Sequence, residues 1–167
     1  MKLLIFDLDG TLLNTLTDLT SSINYMCECF NYEKKSEEQV RNAIGNGVPT
    51  LVKRLIPDGL DNPNYKNCLE TFIKHYNIHY DDNTHPYEGV KQVLENLKQN
   101  YVLGVVTNKL HEVACKIIDK YFPNTFTYVQ GECLSLRKKP EADMVNKVIN
   151  DSNIDKKDVI YIGDTEI

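Results

Sequence analysis

Lys2-Leu3-Leu4-Ile5-Phe6-Asp7-Leu8-Asp9-Gly10-Thr11 decides how the chain is read. Four consecutive apolar residues without polar alternation predict a strand buried on both faces, as a parallel strand is between two layers of helices. The run stops at two carboxylates and an Asp-Gly turn. Reactive groups in open α/β sheets gather where strands end, so Asp7 and Asp9 mark the edge to search. Alternate residues of an extended stretch face one side, which sets these two carboxylates together, about 6–7 Å apart at Cα.

Outward from this strand the pattern changes twice. From Thr15 to Tyr80 no strand pattern occurs, and Leu16, Leu19, Ile23, Met26 and Phe30 recur at helical spacing. Ser36 with Gln39 forms a capping box ahead of Val40 and Ile44. Gly45-Asn46-Gly47 breaks the chain before a helix over 50–56, and 65–80 reads as another helix. Beyond Pro86 helices and strands alternate. Helices are predicted over 90–97, 112–121 and 141–149, and strands over 101–106, 126–129 and 159–162. Such alternation predicts a parallel sheet with helices on both faces. The expected layout is an α/β core of residues 1–14 and 84–167 with an all-helical insertion of residues 15–83.

Composition narrows the chemistry. The 167 residues carry a formal net charge of −5, which argues against a nucleic-acid partner but not against a small anion in a locally positive cleft. Five scattered cysteines without a CxxC pair fit reduced thiols better than a disulfide framework or a zinc site. No apolar run is long enough for a bilayer, and a cytoplasmic location is the expectation. His75 and His79 stand four apart on a predicted helix, but no acidic residue completes a metalloprotease pattern.

The strand ends supply one consistent set of groups. The first strand ends in Asp7 and Asp9, the next in Thr107-Asn108, a later loop carries Lys139-Pro140, and the last strand ends in Gly163-Asp164. A phosphoryl group fits between two carboxylates placed as Asp7 and Asp9 are. Asp7 can attack it, and Asp9 can protonate the leaving oxygen and later deprotonate water. Asp7, Asp164 and a phosphate dianion would repel one another, each like pair at 4 Å by about 4 kcal/mol at an effective dielectric of 20. A divalent cation offsets that repulsion, and hard oxygen ligands with phosphate select Mg²⁺. Lys139 adds positive charge, and Thr107 and Asn108 can donate to phosphate oxygens. Arg137 and Lys138 read as solvated loop charges.

Asp7-Leu8-Asp9-Gly10-Thr11, Thr107-Asn108, Lys139-Pro140 and Gly163-Asp164 stand in the order of the four motifs of the haloacid dehalogenase-like hydrolases. The chain resembles their phosphoglycolate phosphatase branch, which inserts a helical cap just after the first motif. The resemblance implies a Rossmann-like core with a cap that opens and closes. It also implies hydrolysis of a small phosphorylated metabolite such as phosphoglycolate through an aspartyl-phosphate. By the same resemblance Asp7 is the nucleophile and Asp9 the acid/base. The phosphate is bound by Leu8, Asp9, Thr107, Asn108 and Lys139, and Mg²⁺ by Asp7, Asp164 and the backbone carbonyl of Asp9. A cap loop of these relatives reaches the far end of the substrate, which makes Gly45, Asn46, Lys53 and Arg54 substrate candidates.

Because the fourth motif of these relatives continues to a second acidic residue, a chain ending at Ile167 is expected to lack the closing part of the core. The dehalogenase members expel halide, which needs no proton, and lack an aspartate equivalent to Asp9, so an oxygen leaving group is expected here. A sugar phosphomutase, a pyrophosphatase or a non-catalytic phosphate-binding module would use the same groups. The residues do not distinguish monomer from homodimer.

Overall fold

The structure is a computed structural model that describes residues 1–164. The expectation concerning Ile167 falls outside these residues. In chain order the elements are β1 (Lys2–Phe6), β2 (Leu13–Asn14), α1 (Leu16–Cys29), α2 (Glu37–Arg41), α3 (Val48–Leu55) and α4 (Tyr65–His79). They continue with β3 (His85–Pro86), α5 (Val90–Leu97), β4 (Tyr101–Leu110), α6 (His111–Tyr121), β5 (Tyr128–Glu132), α7 (Asp143–Ser152) and β6 (Val159–Ile162). Two compact units result, Met1–Asn14 with His85–Ile167 and the inserted Thr15–Thr84. No described helix is long and apolar enough to cross a membrane.

The first unit is built on a parallel sheet ordered β5-β4-β1-β6. Leu3 and Ile5 point to one face, where Met144 and Val148 of α7 close over them and Val106. Gly104 lies under α7, where a Cβ would meet Val148 at 3.4 Å, an ordinary packing distance. On the other face Phe6 meets Phe126 edge-on at 6.1 Å, and Phe126 meets Phe122 at the end of α6. That aromatic cluster explains why β5 starts at Tyr128 rather than at Phe126 as the sequence pattern suggested. Leu3, Ile5, Val106 and Met144 are fully buried, each worth about 1.5–3 kcal/mol relative to exposure.

Register fixes where the strands end. Phe6 lies beside Val105 of β4 and Ile162 of β6, and the Asp7 N–H donates to the Ile162 carbonyl at 2.8 Å. Asp7, Thr107 and Gly163 therefore follow at one edge. β4 does not stop at Val106 as expected. It stays extended to Leu110 across a register shift against β5, the kind of irregularity that re-aims side chains beside functional sites. α7 begins at Asp143 rather than Glu141, and Arg137 of the preceding loop pairs with both carboxylates. The short β2–β3 ladder, with Leu13 opposite Pro86, had no sequence signal at two residues per strand.

The inserted unit packs α1 to α4 around Ile23, Met26, Val40, Val52, Phe72 and Tyr76. The Ser36–Gln39 capping box starts α2 as the sequence predicts. Asp18, buried on α1, escaped the pattern reading. Its carboxylate accepts from the Asn83 N–H and side-chain amide and from the Thr84 N–H and hydroxyl, at 2.8–3.0 Å. These bonds bring the end of the insertion back to its start, and Thr84 belongs with the helices on that account. Asp18→Ala removes the buried acceptor of four hydrogen bonds, two of them from buried Thr84. In urea unfolding it is expected to lose about 3 kcal/mol, against about 1 kcal/mol for the exposed cap variant Ser36→Ala; a loss as small as the cap variant's would contradict the closure role.

Candidate active site

Asp7 leaves β1 almost buried, and its carboxylate is held from two directions. Leu8 N–H donates to Oδ1 at 2.7 Å, and Lys139 Nζ reaches the same oxygen at 3.0 Å. Burial pushes the Asp7 carboxyl up from its ordinary value, opposed by the Lys139 charge. Burial alone would depress the Lys139 ammonium. Asp7 and the Tyr161 hydroxyl, which Nζ meets at 2.8 Å, outweigh it and leave Lys139 above its ordinary value. Tyr161 in turn is raised by its own burial and by the Asp7 charge.

Asn108 explains how a loop lysine is aimed so firmly. Its side-chain amide donates to the Lys139 carbonyl at 3.0 Å and its side-chain oxygen accepts from the Lys139 N–H at 2.8 Å. The reciprocal pair clamps the Lys139 backbone to β4, so this side chain is engaged as a positioning group. On the loop ahead, Arg137 forks onto Asp143 with two bonds of 2.9 Å. It is thus exposed but anchored rather than freely solvated. Thr107 is buried, and its hydroxyl accepts from the Lys109 N–H at 3.2 Å.

Asp9 has a partner that the sequence reading passed over. Lys109 Nζ stands 3.0 Å from Asp9 Oδ1, with the Lys109 side chain 4% exposed. The contact is an ion pair rather than a directed hydrogen bond. Lys109 follows Thr107-Asn108 directly, and the signal for it was the lysine itself at the end of a buried strand. Tyr161 carried a similar signal, because β6 pairs with β1 and Tyr161 sits opposite Ile5.

Asp164 closes the site. Its Oδ1 accepts from the Thr11 hydroxyl at 2.8 Å, and its carboxylate lies against Gly10. A Cβ at Gly10 would come 2.5 Å from Oδ2, and φ there is +85°, so the turn needs glycine on both counts. Gly163 lies beside Asp7, and a Cβ on it would press on the Tyr161 ring at 3.2 Å. Asp7 and Asp164 both stand at this edge, and their carboxylates are hard-oxygen donors of the kind a divalent cation takes. Asp9's side chain is engaged by Lys109, and no three acidic, His or Cys side chains converge as a metal cluster among the described residues.

Of the residues singled out in the insertion, Arg54 donates to Asn46 at 2.9 Å and to the Ala43 carbonyl at 3.1 Å. The pair braces Gly45-Asn46-Gly47, whose glycines have positive φ. Lys53 is exposed. His75 and His79 stack at 4.3 Å, with Nδ1 of one against Ser22 and of the other against Asp82.

Comparison with known proteins agrees with this layout. Residues 4–167 match the family model described as haloacid dehalogenase-like hydrolase. The phosphoglycolate phosphatase of Haemophilus influenzae is 33% identical over 175 residues, covering 99% of this chain and 78% of that protein. That of Aliivibrio fischeri is 29% identical over 174 residues, covering 99% and 77%. A crystal structure from Lactobacillus delbrueckii subsp. bulgaricus superposes with a TM-score of 0.93 at 31% identity, covering 99% of this chain and 80% of that one.

Removing the Lys139 charge leaves burial opposed only by the Leu8 N–H, so Lys139→Met is expected to raise the Asp7 carboxyl further, read by carbon-13 NMR in metal-free buffer. Its destabilisation is expected to be smaller at acid pH, where a protonated Asp7 has no charge to leave unpaired. An unmoved or lowered Asp7 titration would contradict the pairing.

Proposed function

We infer that this chain, which belongs to the haloacid dehalogenase-like hydrolase family and is a phosphatase of its phosphoglycolate phosphatase-like branch, hydrolyses a small phosphomonoester through a phosphorylated Asp7. The supporting observation is the buried Asp7–Lys139 pair at the end of β1. It provides an oxygen nucleophile fixed in direction and a cation beside it for phosphate charge. The phosphoglycolate class of substrate is supported by the names of the relatives, which match nearly the whole chain.

In the first half-reaction an Asp7 carboxylate oxygen attacks phosphorus. The bond from phosphorus to the ester oxygen breaks, and its electron pair leaves with that oxygen, which takes a proton from Asp9. In the second half, water gives its proton to Asp9 as its oxygen attacks phosphorus. The bond from phosphorus to the Asp7 oxygen breaks and the carboxylate is restored. Lys139, the Thr107 hydroxyl and backbone N–H groups of the loop after β1 stabilise the charge on the phosphoryl oxygens. Asn108 keeps Lys139 in reach. Mg²⁺, held by Asp7, Asp164 and the Asp9 carbonyl, would supply positive charge that favours the ionised nucleophile and the phosphate dianion.

With Mg²⁺ and a panel of small phosphate esters, Asp7→Asn is expected to lower phosphate release at least about a thousandfold, and chelation of the metal is expected to have a similar effect. Turnover retained in Asp7→Asn would exclude Asp7 as nucleophile.

A further inference from the structure

Tyr161 stands on β6, yet its hydroxyl lies inside the site. It pairs with Ile5 in the sheet register, so its side chain leaves the same face as those of Ile5 and Asp7. The ring bears on Gly163, where a Cβ would meet it at 3.2 Å. The hydroxyl reaches Lys139 Nζ at 2.8 Å and the Val106 carbonyl at 3.5 Å. An ammonium only donates, so the phenol oxygen accepts from Lys139 and turns its own proton toward Val106. Lys139 Nζ is therefore held at two points, by Tyr161 and by Asp7 Oδ1 at 3.0 Å. The Asn108 clamp on the Lys139 backbone does not replace these contacts, because a flexible four-carbon stem separates that backbone from Nζ.

The two anchors differ in what the reaction does to them. On the proposed function, on which this inference rests, Asp7 becomes an acyl phosphate in the first half-reaction and loses its carboxylate charge. The contact of Lys139 with Asp7 then ceases to be an ion pair, just before water attacks phosphorus. The Tyr161 hydroxyl is not consumed. We propose that Tyr161 is a positioning residue for the second half-reaction, keeping the Lys139 ammonium aimed at the phosphoryl oxygens while Asp7 is phosphorylated. Before transfer Asp7 and Tyr161 restrain the ammonium together, and each covers for the other. After transfer the phosphoryl oxygens attract Nζ but move with the reacting centre, and the fixed contact is the phenol oxygen. Loss of the hydroxyl therefore falls on hydrolysis of the intermediate rather than on its formation.

Tyr161→Phe keeps the ring and removes the hydroxyl. With Mg²⁺ and the best ester of the panel, kcat is expected to fall at least about tenfold, as for one hydrogen bond to a charged group. The ratio kcat/KM, which includes steps only as far as departure of the alcohol, is expected to stay nearly unchanged. Acid quench at steady state is expected to find a larger phosphorylated fraction than in wild type. General loosening of the site would instead lower kcat/KM together with kcat and produce no such excess. Positioning is also read without turnover in Asp7→Asn, where the charge at residue 7 is absent as it is in the intermediate. Calorimetric titration with inorganic phosphate and Mg²⁺ is expected to show binding at least about tenfold weaker in Asp7→Asn with Tyr161→Phe than in Asp7→Asn. Between Tyr161→Phe and wild type the difference is expected to be smaller. That binding pattern supports the assignment even if no ester is turned over, an outcome that would sink the hydrolase reading alone. Equal falls in kcat and kcat/KM without excess phosphorylated chain, or no effect of the hydroxyl on phosphate binding in Asp7→Asn, overturns the assignment.

Discussion

A carboxylate and an ammonium buried against each other at the end of the first strand set the terms for the rest of the site. Taking either ion out of water costs several kcal/mol, and the pair is tolerable only where geometry is good and the remaining polar atoms are satisfied. Here the Leu8 N–H supports Asp7, the Tyr161 hydroxyl meets Lys139, and Asn108 holds the lysine's backbone on both sides. Each of these contacts comes from a different part of the chain, so the pair forms only when the sheet has formed. The fold prevents Asp7 from relaxing into solvent as an ordinary, well-hydrated aspartate.

The parallel sheet makes such a convergence possible. β1 is central, its two neighbours run in the same direction, and their register places Asp7, Thr107 and Gly163 at one edge. Close approach is then regulated by a glycine. Gly10 admits the Asp164 carboxylate where any side chain would collide. The inserted helical unit has its own core and its own closure, in which buried Asp18 joins its first helix to its last residues.

Much of this was legible in the sequence because the decisive signals were local. Leu3 to Phe6 could only be a buried strand, and its last residue gave the position of Asp7. Helical spacing from Leu16 to Phe30 and the Ser36–Gln39 box named real helices. The α/β class and the family followed from four short motifs in order. What escaped was decided by tertiary partners. Lys109 looks like any lysine until β4 is seen to stay extended and carry it to Asp9. Asp18 looks like a first-turn helix acid until Asn83 and Thr84 return to it from 65 and 66 residues away. Asn108 was read as a donor to phosphate, whereas its side chain serves the backbone of Lys139, a choice that no spacing rule contains.

The account as a whole stands on phosphorus being passed to Asp7. Rapid mixing with a phosphate ester and Mg²⁺, acid quench and peptide mass spectrometry would capture that moment. The predicted result is a phosphoryl group on the peptide that begins the chain, located at Asp7 and absent from Asp7→Asn. Phosphate release without any such adduct, or an adduct on another residue, would contradict it.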